Sequence, residues 1–370
     1  NLHNYILMKK FFIISNNSWN LFNFRFELIQ NISKKNIIYL FCDKDKYSKS
    51  LLFNENIRII ESNFKKNYFN LFRDIYLLLK ISFLVIIFKP NYILSFTLKP
   101  NLYSLIIAFL FKVKVIINVT GLGSIYLKKN KINNLIFKIN KFFFKKANFI
   151  FFQNNDDRNE ICIGDKYLFK ISDILPGSGI NLDKFKYSML SKENKNYIFI
   201  GRIIKDKGII ELLNSIKKIK KIKEANFQII GNIDHFNPSS IDEKSFKLWR
   251  DLKIFDYYEH QDNVYNFIKN SQCLILPSYR EGCSRVIMEA MAIGRPVIAA
   301  NVPGCNNLIK DGINGFLVTP KSTNHLYDVI VKFNNLSYEE KIKMGKMGRK
   351  IIENSFDVRF VIDKYLSKMK

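Results

Sequence analysis

Cysteine is sparse in this chain, long apolar runs are missing, and acidic residues are thin. The five cysteines (Cys42, Cys162, Cys273, Cys283, Cys305) are odd in number, widely scattered and form no C-x-x-C pair with a histidine partner. That spacing excludes a disulfide or zinc framework and points to reduced thiols in the cytoplasm. No segment qualifies as a membrane span. The best candidate, Ile75 to Phe88, is interrupted by Lys80, ends at Lys89-Pro90 and falls short of the roughly 20 residues a span needs. The first apolar stretch, FFIIS after Lys10, reads as a buried strand and is followed by no small-residue cleavage site, so a secretory signal is not expected. Met8 reads as the natural start, with Asn1 to Leu7 as a leader. There is no internal repeat and no long disordered tract.

The shortage of acid is uneven. The chain has 59 Lys and Arg against 32 Asp and Glu, and residues 1–150 alone hold 24 basic against 6 acidic residues. Between Asp74 and Asp156 there is no carboxylate, while twelve lysines alternate with apolar runs such as IYLLLK, ISFLVIIFK and SLIIAFLFK. Basic and apolar faces together suit an anionic leaflet, where each lysine contributes on the order of 1 kcal/mol. A peripheral protein on the inner face of the cytoplasmic membrane is the expectation. A general bias toward Lys, Asn, Ile and Phe is the plainer alternative.

What is present is a two-domain α/β pattern. With 370 residues, 48% of them hydrophobic, the chain can bury two ordinary cores. Apolar runs at Phe11–Ser15, Ile37–Cys42, Ile57–Ile60, Tyr92–Phe96, Val115–Val119 and Phe149–Phe152 read as strands separated by helix-length segments. The second half repeats this at Tyr197–Ile200, Phe227–Gly231, Cys273–Leu276, Val297–Ala299 and Phe316–Val318. Alternating strands and helices imply doubly wound parallel sheets, and ligands of such pairs bind in a cleft. Residues 1–180 are expected to form the first domain and 181–356 the second, with a linker over Pro176 to about Asn196.

Two segments of the second half carry chemistry. SYREGCSRVIME (Ser278 to Glu289) sets Glu281 on the loop after a short buried strand and Glu289 in the following helix, which stops at Gly294-Arg295-Pro296. Helix N-termini beyond the carboxyl ends of parallel strands offer N–H groups to phosphates, and two acceptors beside such a turn suit a sugar nucleotide. FIGRIIKDKGIIELLNSI (Phe199 to Ile216) places Gly201, Arg202 and Lys207 between a strand and an amphipathic helix. Cations ahead of a helix N-terminus oppose the helix dipole, and an anionic ligand would resolve that conflict. Read singly, each glutamate or cation is as well explained by a solvated turn.

With those residues in place the sequence resembles the family-4 retaining glycosyltransferases of the GT-B fold over nearly its whole length. Gly201-Arg202, Lys207-Gly208 and the Glu281/Glu289 pair match the donor-site pattern in order and spacing, as do GSGINLDKF (Gly177 to Phe185), PGCNNLIKDGINGFLV (Pro303 to Val318) and NVTGLGS (Asn118 to Ser124). GNIDHFNPSSI (Gly231 to Ile241) and SWNLFNFR (Ser18 to Arg25) narrow the likeness to the branch that builds capsule, O-antigen and N-glycan on lipid-linked acceptors.

The resemblance implies two Rossmann-like domains facing a cleft and a last helix, about 357–370, that returns to the first. It also implies a nucleotide-sugar donor, a lipid-linked saccharide acceptor, retention of configuration and no metal cofactor. Arg202 and Lys207 would neutralise the diphosphate, Glu281 would hold the transferred sugar and Glu289 the ribose. Ser284 and Arg285 would offer backbone N–H groups to the phosphates, Val286 would belong to the same substrate site, the Gly121-Leu122-Gly123 turn would let first-domain backbone approach, and Thr97 or Ser95 would stand near the reacting sugar. The sequence departs from the family where a histidine often follows the fourth strand: it reads ILSFTLKPN there, and the four histidines are His3, His235, His260 and His325. Ser284 stands where proline is frequent, and Tyr258 where glycine is. Asp43-Lys44-Asp45 has the D-x-D form of a metal motif but no neighbouring ligands, and reads as a solvated turn.

A basic chain with 15% aromatic residues could also bind a polyanion, but such a binder needs none of the ordered donor motifs, and no nucleic-acid partner is expected. A sugar-nucleotide epimerase or a phosphorylase shares the architecture. The first would act without an acceptor, and the second needs a pyridoxal-binding lysine context that the sequence lacks.

Overall fold

The computed structural model describes residues 8–64, 71–122, 140–220 and 225–369, so the leader and Gly123 lie outside the described residues. The chain separates into two compact units, Asn1–Ser178 with Arg359–Lys370, and Gly179–Val358.

The first unit is built on seven strands: β1 Lys10–Asn17, β2 Ile37–Asp43, β3 Ile57–Glu61, β4 Tyr92–Phe96, β5 Lys114–Val119, β6 Phe149–Phe152 and β7 Ser172–Ile174. Their order is β3-β2-β1-β4-β5-β6-β7, with every neighbouring pair parallel. Parallel strands need crossover helices, which cover both faces and leave the strands as continuous apolar runs. The strand period divides β1 accordingly. Phe12 and Ile14 enter one core with Leu77, Ile81 and Val85, while Phe11 and Ile13 enter the other with Leu21, Leu28 and Tyr365.

Tyr365 comes from the helix Val358–Ser367, which lies in the first unit from Arg359 onward. Its ring sits 4.7 Å from that of Phe151 and 6.2 Å from that of Phe96, and its hydroxyl accepts a 3.0 Å hydrogen bond from Asn118 Nδ2.

The second unit has six strands: β8 Asn196–Ile200, β9 Asn226–Ile230, β10 Asp256–Tyr258, β11 Cys273–Leu276, β12 Val297–Ala300 and β13 Gly315–Val318. They are ordered β10-β9-β8-β11-β12-β13, again all parallel. The order reverses between β8 and β11. At that switch point the loops beyond the carboxyl ends diverge to opposite sides of the sheet and leave room for a ligand.

Every apolar run read as a strand forms one, with ends shifted by at most two residues. The two strands the sequence reading misses are β7 (SDI) and β10 (DYY), each three residues long and each at a sheet edge. Both are only partly buried, so they need no apolar run.

The segment expected to be a linker is instead tied into the second unit. Arg295, only 1% exposed, donates to Ser188 O (2.7 Å), Gly294 O (3.2 Å) and Lys269 O (2.9 Å), and Arg349 Nη1 donates to Phe185 O (2.9 Å). Burial lowers the Arg295 pKa to about 10, which leaves the guanidinium charged at neutral pH. Arg295→Ala strips buried carbonyls of their donor and is expected to cost about 2–4 kcal/mol of stability, read as a lower denaturant midpoint at unchanged slope.

Candidate active site

The loops that follow β8, β11 and β12 are locked together by glycines. Gly208 has φ +69°, and a Cβ there would lie 2.1 Å from Pro277 O, so the loop after β8 presses its backbone against the end of β11. Gly304, at φ +79°, stands in the same relation to Glu281, whose carbonyl oxygen would be 2.3 Å from an added Cβ. Backbone bonds tie the same segments: Tyr279 N–H donates to Asp206 O (2.8 Å), Glu281 N–H to Pro303 O (3.1 Å) and Ser284 N–H to Gly304 O (3.0 Å).

This framework brings Lys207 and Glu281 together although they are 74 residues apart. Lys207 Nζ lies 2.5 Å from Glu281 Oε1, with the two side chains 20% and 14% exposed. Lys207 ends a single 3₁₀ turn, Lys205–Lys207, directly before the helix Ile209–Ile219, which has no side-chain N-cap. The conflict between a cation and a helix N-terminus is therefore relieved within the protein by Glu281, not left wholly to a ligand. Tyr279 Oη donates to Glu211 Oε1 (2.7 Å) in the first turn of that helix, adding an acid where the dipole favours one.

The helix Arg285–Ile293 begins at Ser284 beyond β11. Two of its residues form a second partly buried pair, Arg285 Nε to Glu289 Oε1 at 2.9 Å, with side chains 18% and 13% exposed. Arg285 Nη1 also donates to Gly179 O (2.8 Å), and its guanidinium lies 5.9 Å from the centre of the Phe185 ring. Burial pushes the Glu289 carboxyl above its ordinary pKa, and Arg285 opposes that shift.

Several sequence expectations change here. Ser284 does not hold its N–H ready for a phosphate, because it is spent on Gly304 O. Val286 sits in the first turn of the helix, where no carbonyl lies one turn earlier to accept its N–H. Arg285, read from sequence as a backbone donor, contributes its side chain as well, and no sequence signal beyond the four-residue spacing to Glu289 indicates that. Arg202 follows Gly201, whose N–H donates to Ile230 O (3.0 Å), and is 57% exposed. Its guanidinium is paired with Asp234 at 2.8 Å, a partner that sequence reading did not identify. Glu281 and Glu289 serve different cations and are not paired with each other. Cys283 packs as a small buried side chain: burial raises its pKa to about 12 and its Sγ lies 3.9 Å from Met288 Sδ.

The remaining site candidates are in the first unit. Thr97 follows β4 at φ +74°, a left-handed conformation that is strained for a β-branched residue, and caps the helix Leu98–Phe111 without a side-chain bond. Its Oγ1 is buried and has no hydrogen-bond partner among the described residues. Gly121 follows β5 at φ +140°. Gly123 cannot be placed because it falls outside the described residues. Asp43 and Asp45 are not the solvated turn read from sequence. Asp43 Oδ1 accepts from Ser62 Oγ (2.6 Å), and Asp45 accepts from the N–H groups of Trp19 (2.7 Å) and Tyr47 (2.9 Å). Both carboxylates hold local backbone.

The chain is similar to known glycosyltransferases in sequence and in fold. Residues 182–351 match the family model described as Glycosyl transferases group 1. The capsular polysaccharide biosynthesis glycosyltransferase CapM of Staphylococcus aureus is 32% identical over 195 residues, half of this chain and half of that relative's length. The N,N'-diacetylbacillosaminyl-diphospho-undecaprenol alpha-1,3-N-acetylgalactosaminyltransferase of Campylobacter jejuni is 22% identical over 380 residues, 94% of each chain. Among solved structures, Anabaena HepE in complex with UDP superposes with a TM-score of 0.76 over 98% of this chain and 99% of its own, at 15% identity, a likeness of fold. The fold is GT-B, with two parallel-sheet units.

Proposed function

We propose that this chain, whose residues 182–351 match the family model described as Glycosyl transferases group 1, is a retaining glycosyltransferase. In this reading it moves a sugar from a nucleotide sugar, a UDP-sugar by preference, to a polyprenyl-diphosphate-linked acceptor in surface polysaccharide assembly. It works at the cytoplasmic face of the membrane. The observation that carries the reading is the Lys207–Glu281 pair, fixed beside the Arg285–Glu289 helix start at the switch point of the second sheet.

The pairs explain how the site can be both stable when empty and responsive to donor. An arriving diphosphate competes with Glu281 for Lys207, and Arg202 adds a second exposed cation. Released from Lys207, the Glu281 carboxylate accepts hydrogen bonds from hydroxyls of the transferred sugar. As the bond to the anomeric carbon breaks, negative charge grows on the departing diphosphate, and Lys207, Arg202 and the Val286 N–H stabilise it more than they stabilise the ground state. Glu289 holds the ribose hydroxyls. With cations neutralising the leaving group, turnover needs no metal and is expected to survive chelation by EDTA.

A panel of nucleotide sugars tests the reading by thermal stabilisation. Bound donor at about a hundred times its dissociation constant adds roughly 2.7 kcal/mol by mass action, enough for a clear rise in melting temperature. UDP-N-acetylgalactosamine and UDP-N-acetylglucosamine are expected to raise it most. A protein that no nucleotide sugar stabilises, or that interconverts free UDP-sugars without an acceptor, is not this enzyme.

A further inference from the structure

The helix Leu71–Phe88 is apolar on both sides. Leu77, Ile81 and Val85 are buried against the sheet, as a covering helix requires. On the outward side Phe72, Tyr76, Leu79, Phe83, Ile86 and Ile87 are between 51% and 85% exposed. Their spacing follows the helical repeat, so they form one stripe along a rod about 27 Å long. A surface helix ordinarily turns polar residues to water, and a contiguous exposed apolar stripe marks a docking surface. Two of the three charged side chains of this helix are drawn aside. Asp74 accepts from Tyr103 Oη (2.7 Å) and Lys99 Nζ (3.3 Å), and Lys80 donates to Glu61 O (2.7 Å).

The neighbouring helix Leu98–Phe111, to which the Asp74 bonds join it, ends in Phe109 and Leu110, 53% and 59% exposed. Lysines border this apolar surface. Lys89 and Lys112 follow directly after the two helices and are exposed, and Lys146 Nζ lies 5.1 Å from the Phe109 ring centre and 5.4 Å from that of Phe142. No carboxylate occurs in the sequence from 75 to 155 to balance them.

We propose that the outward stripe of Leu71–Phe88, with the exposed end of Leu98–Phe111 and its lysines, is a bilayer-docking face that inserts apolar side chains among anionic lipid headgroups. The charge pattern selects this occupant. A second copy of the chain would bring the same lysines against each other, whereas an anionic leaflet complements them. The proposal deepens the function proposed above, whose acceptor is anchored in a bilayer, and rests on that reading for its purpose but not for its test.

The test is flotation of the full chain with phosphatidylglycerol/phosphatidylcholine vesicles and with phosphatidylcholine vesicles alone, in the absence of nucleotide sugar and acceptor. The wild-type chain is expected to float with the anionic vesicles and to be released by salt. Leu79→Ser/Phe83→Ser/Ile86→Ser, all at exposed positions, is expected to lower the bound fraction at least about tenfold at an unchanged melting temperature. Lys112→Glu/Lys146→Glu, which leaves the stripe intact, is expected to weaken binding to anionic vesicles alone. Turnover of a water-soluble acceptor should not change in either variant, and that readout separates failed docking from failed transfer. A wild-type chain that does not float, variants that float as well as it does, or a wild-type dimer that the serine substitutions dissociate would overturn the proposal. The last result would assign the stripe to a second copy, and binding of an acidic protein in preference to vesicles would assign it to a protein partner.

Discussion

Lys207→Ala is expected to lower turnover by about tenfold to a thousandfold, the scale of losing a charge that stabilises a leaving group. The substitution removes more than a cation. Glu281 is only 14% exposed on its side chain and stands 2.5 Å from Lys207 Nζ, so its carboxylate is left partly buried without its cation. Both consequences oppose donor binding and bond cleavage. Glu281→Gln separates them. If Lys207 serves only to orient Glu281, the double variant is no worse than Glu281→Gln alone. If Lys207 contacts the departing diphosphate, the double variant loses more than Glu281→Gln alone. The measurement is kcat/KM for the donor across the four proteins, with melting temperatures to show that each is folded. A rate unchanged in Lys207→Ala removes the pair from the chemistry.

The sequence carried the fold because both sheets are buried on two faces, so each strand announces itself as an apolar run, from FFIIS at β1 to VIAA at β12. Where a strand is short and only partly buried the signal fails, as at β7 and β10. The site was legible as a set of residue types at fixed spacings, but not as a set of partners. Lys207 and Glu281 are 74 residues apart and Arg202 and Asp234 are 32 apart, and nothing local in the chain encodes those distances. The glycines that let the loops after β8 and β12 press against the β11 loop bring Lys207 to Glu281, and Gly231, where a Cβ would lie 1.9 Å from Gly201 O, brings the loops of Arg202 and Asp234 together. The same holds for Thr97, whose strained backbone is a property of the turn and leaves no mark on residue type. Arg295 read as part of a helix stop, and its buried guanidinium became visible only with the carbonyls around it.

Glu289→Ala is expected to cut turnover by a similar tenfold to thousandfold, on the order of losing an orienting contact, and its pH dependence distinguishes a binding role from a structural one. Burial holds the Glu289 carboxyl above the ordinary carboxylate range, with Arg285 pulling the other way. A folded-state pKa raised above the unfolded value means that the folded chain takes up the proton first. Ionised Glu289 is therefore a stability cost, fully present above the raised pKa, that fades as pH falls through it toward the ordinary value. Ligand binding has the opposite sign, because ribose hydroxyls donate more strongly to a carboxylate than to a carboxylic acid. In the same window the empty protein gains stability while its nucleotide affinity falls. Glu289→Gln removes the titrating group: the acid-side gain in stability should disappear, and nucleotide affinity should become flat across the window at a level about tenfold below wild type. Dissociation constants for the nucleotide, measured against pH for both proteins, decide the matter. If the two profiles decline together, another group titrates and Glu289 only braces Arg285 against Gly179.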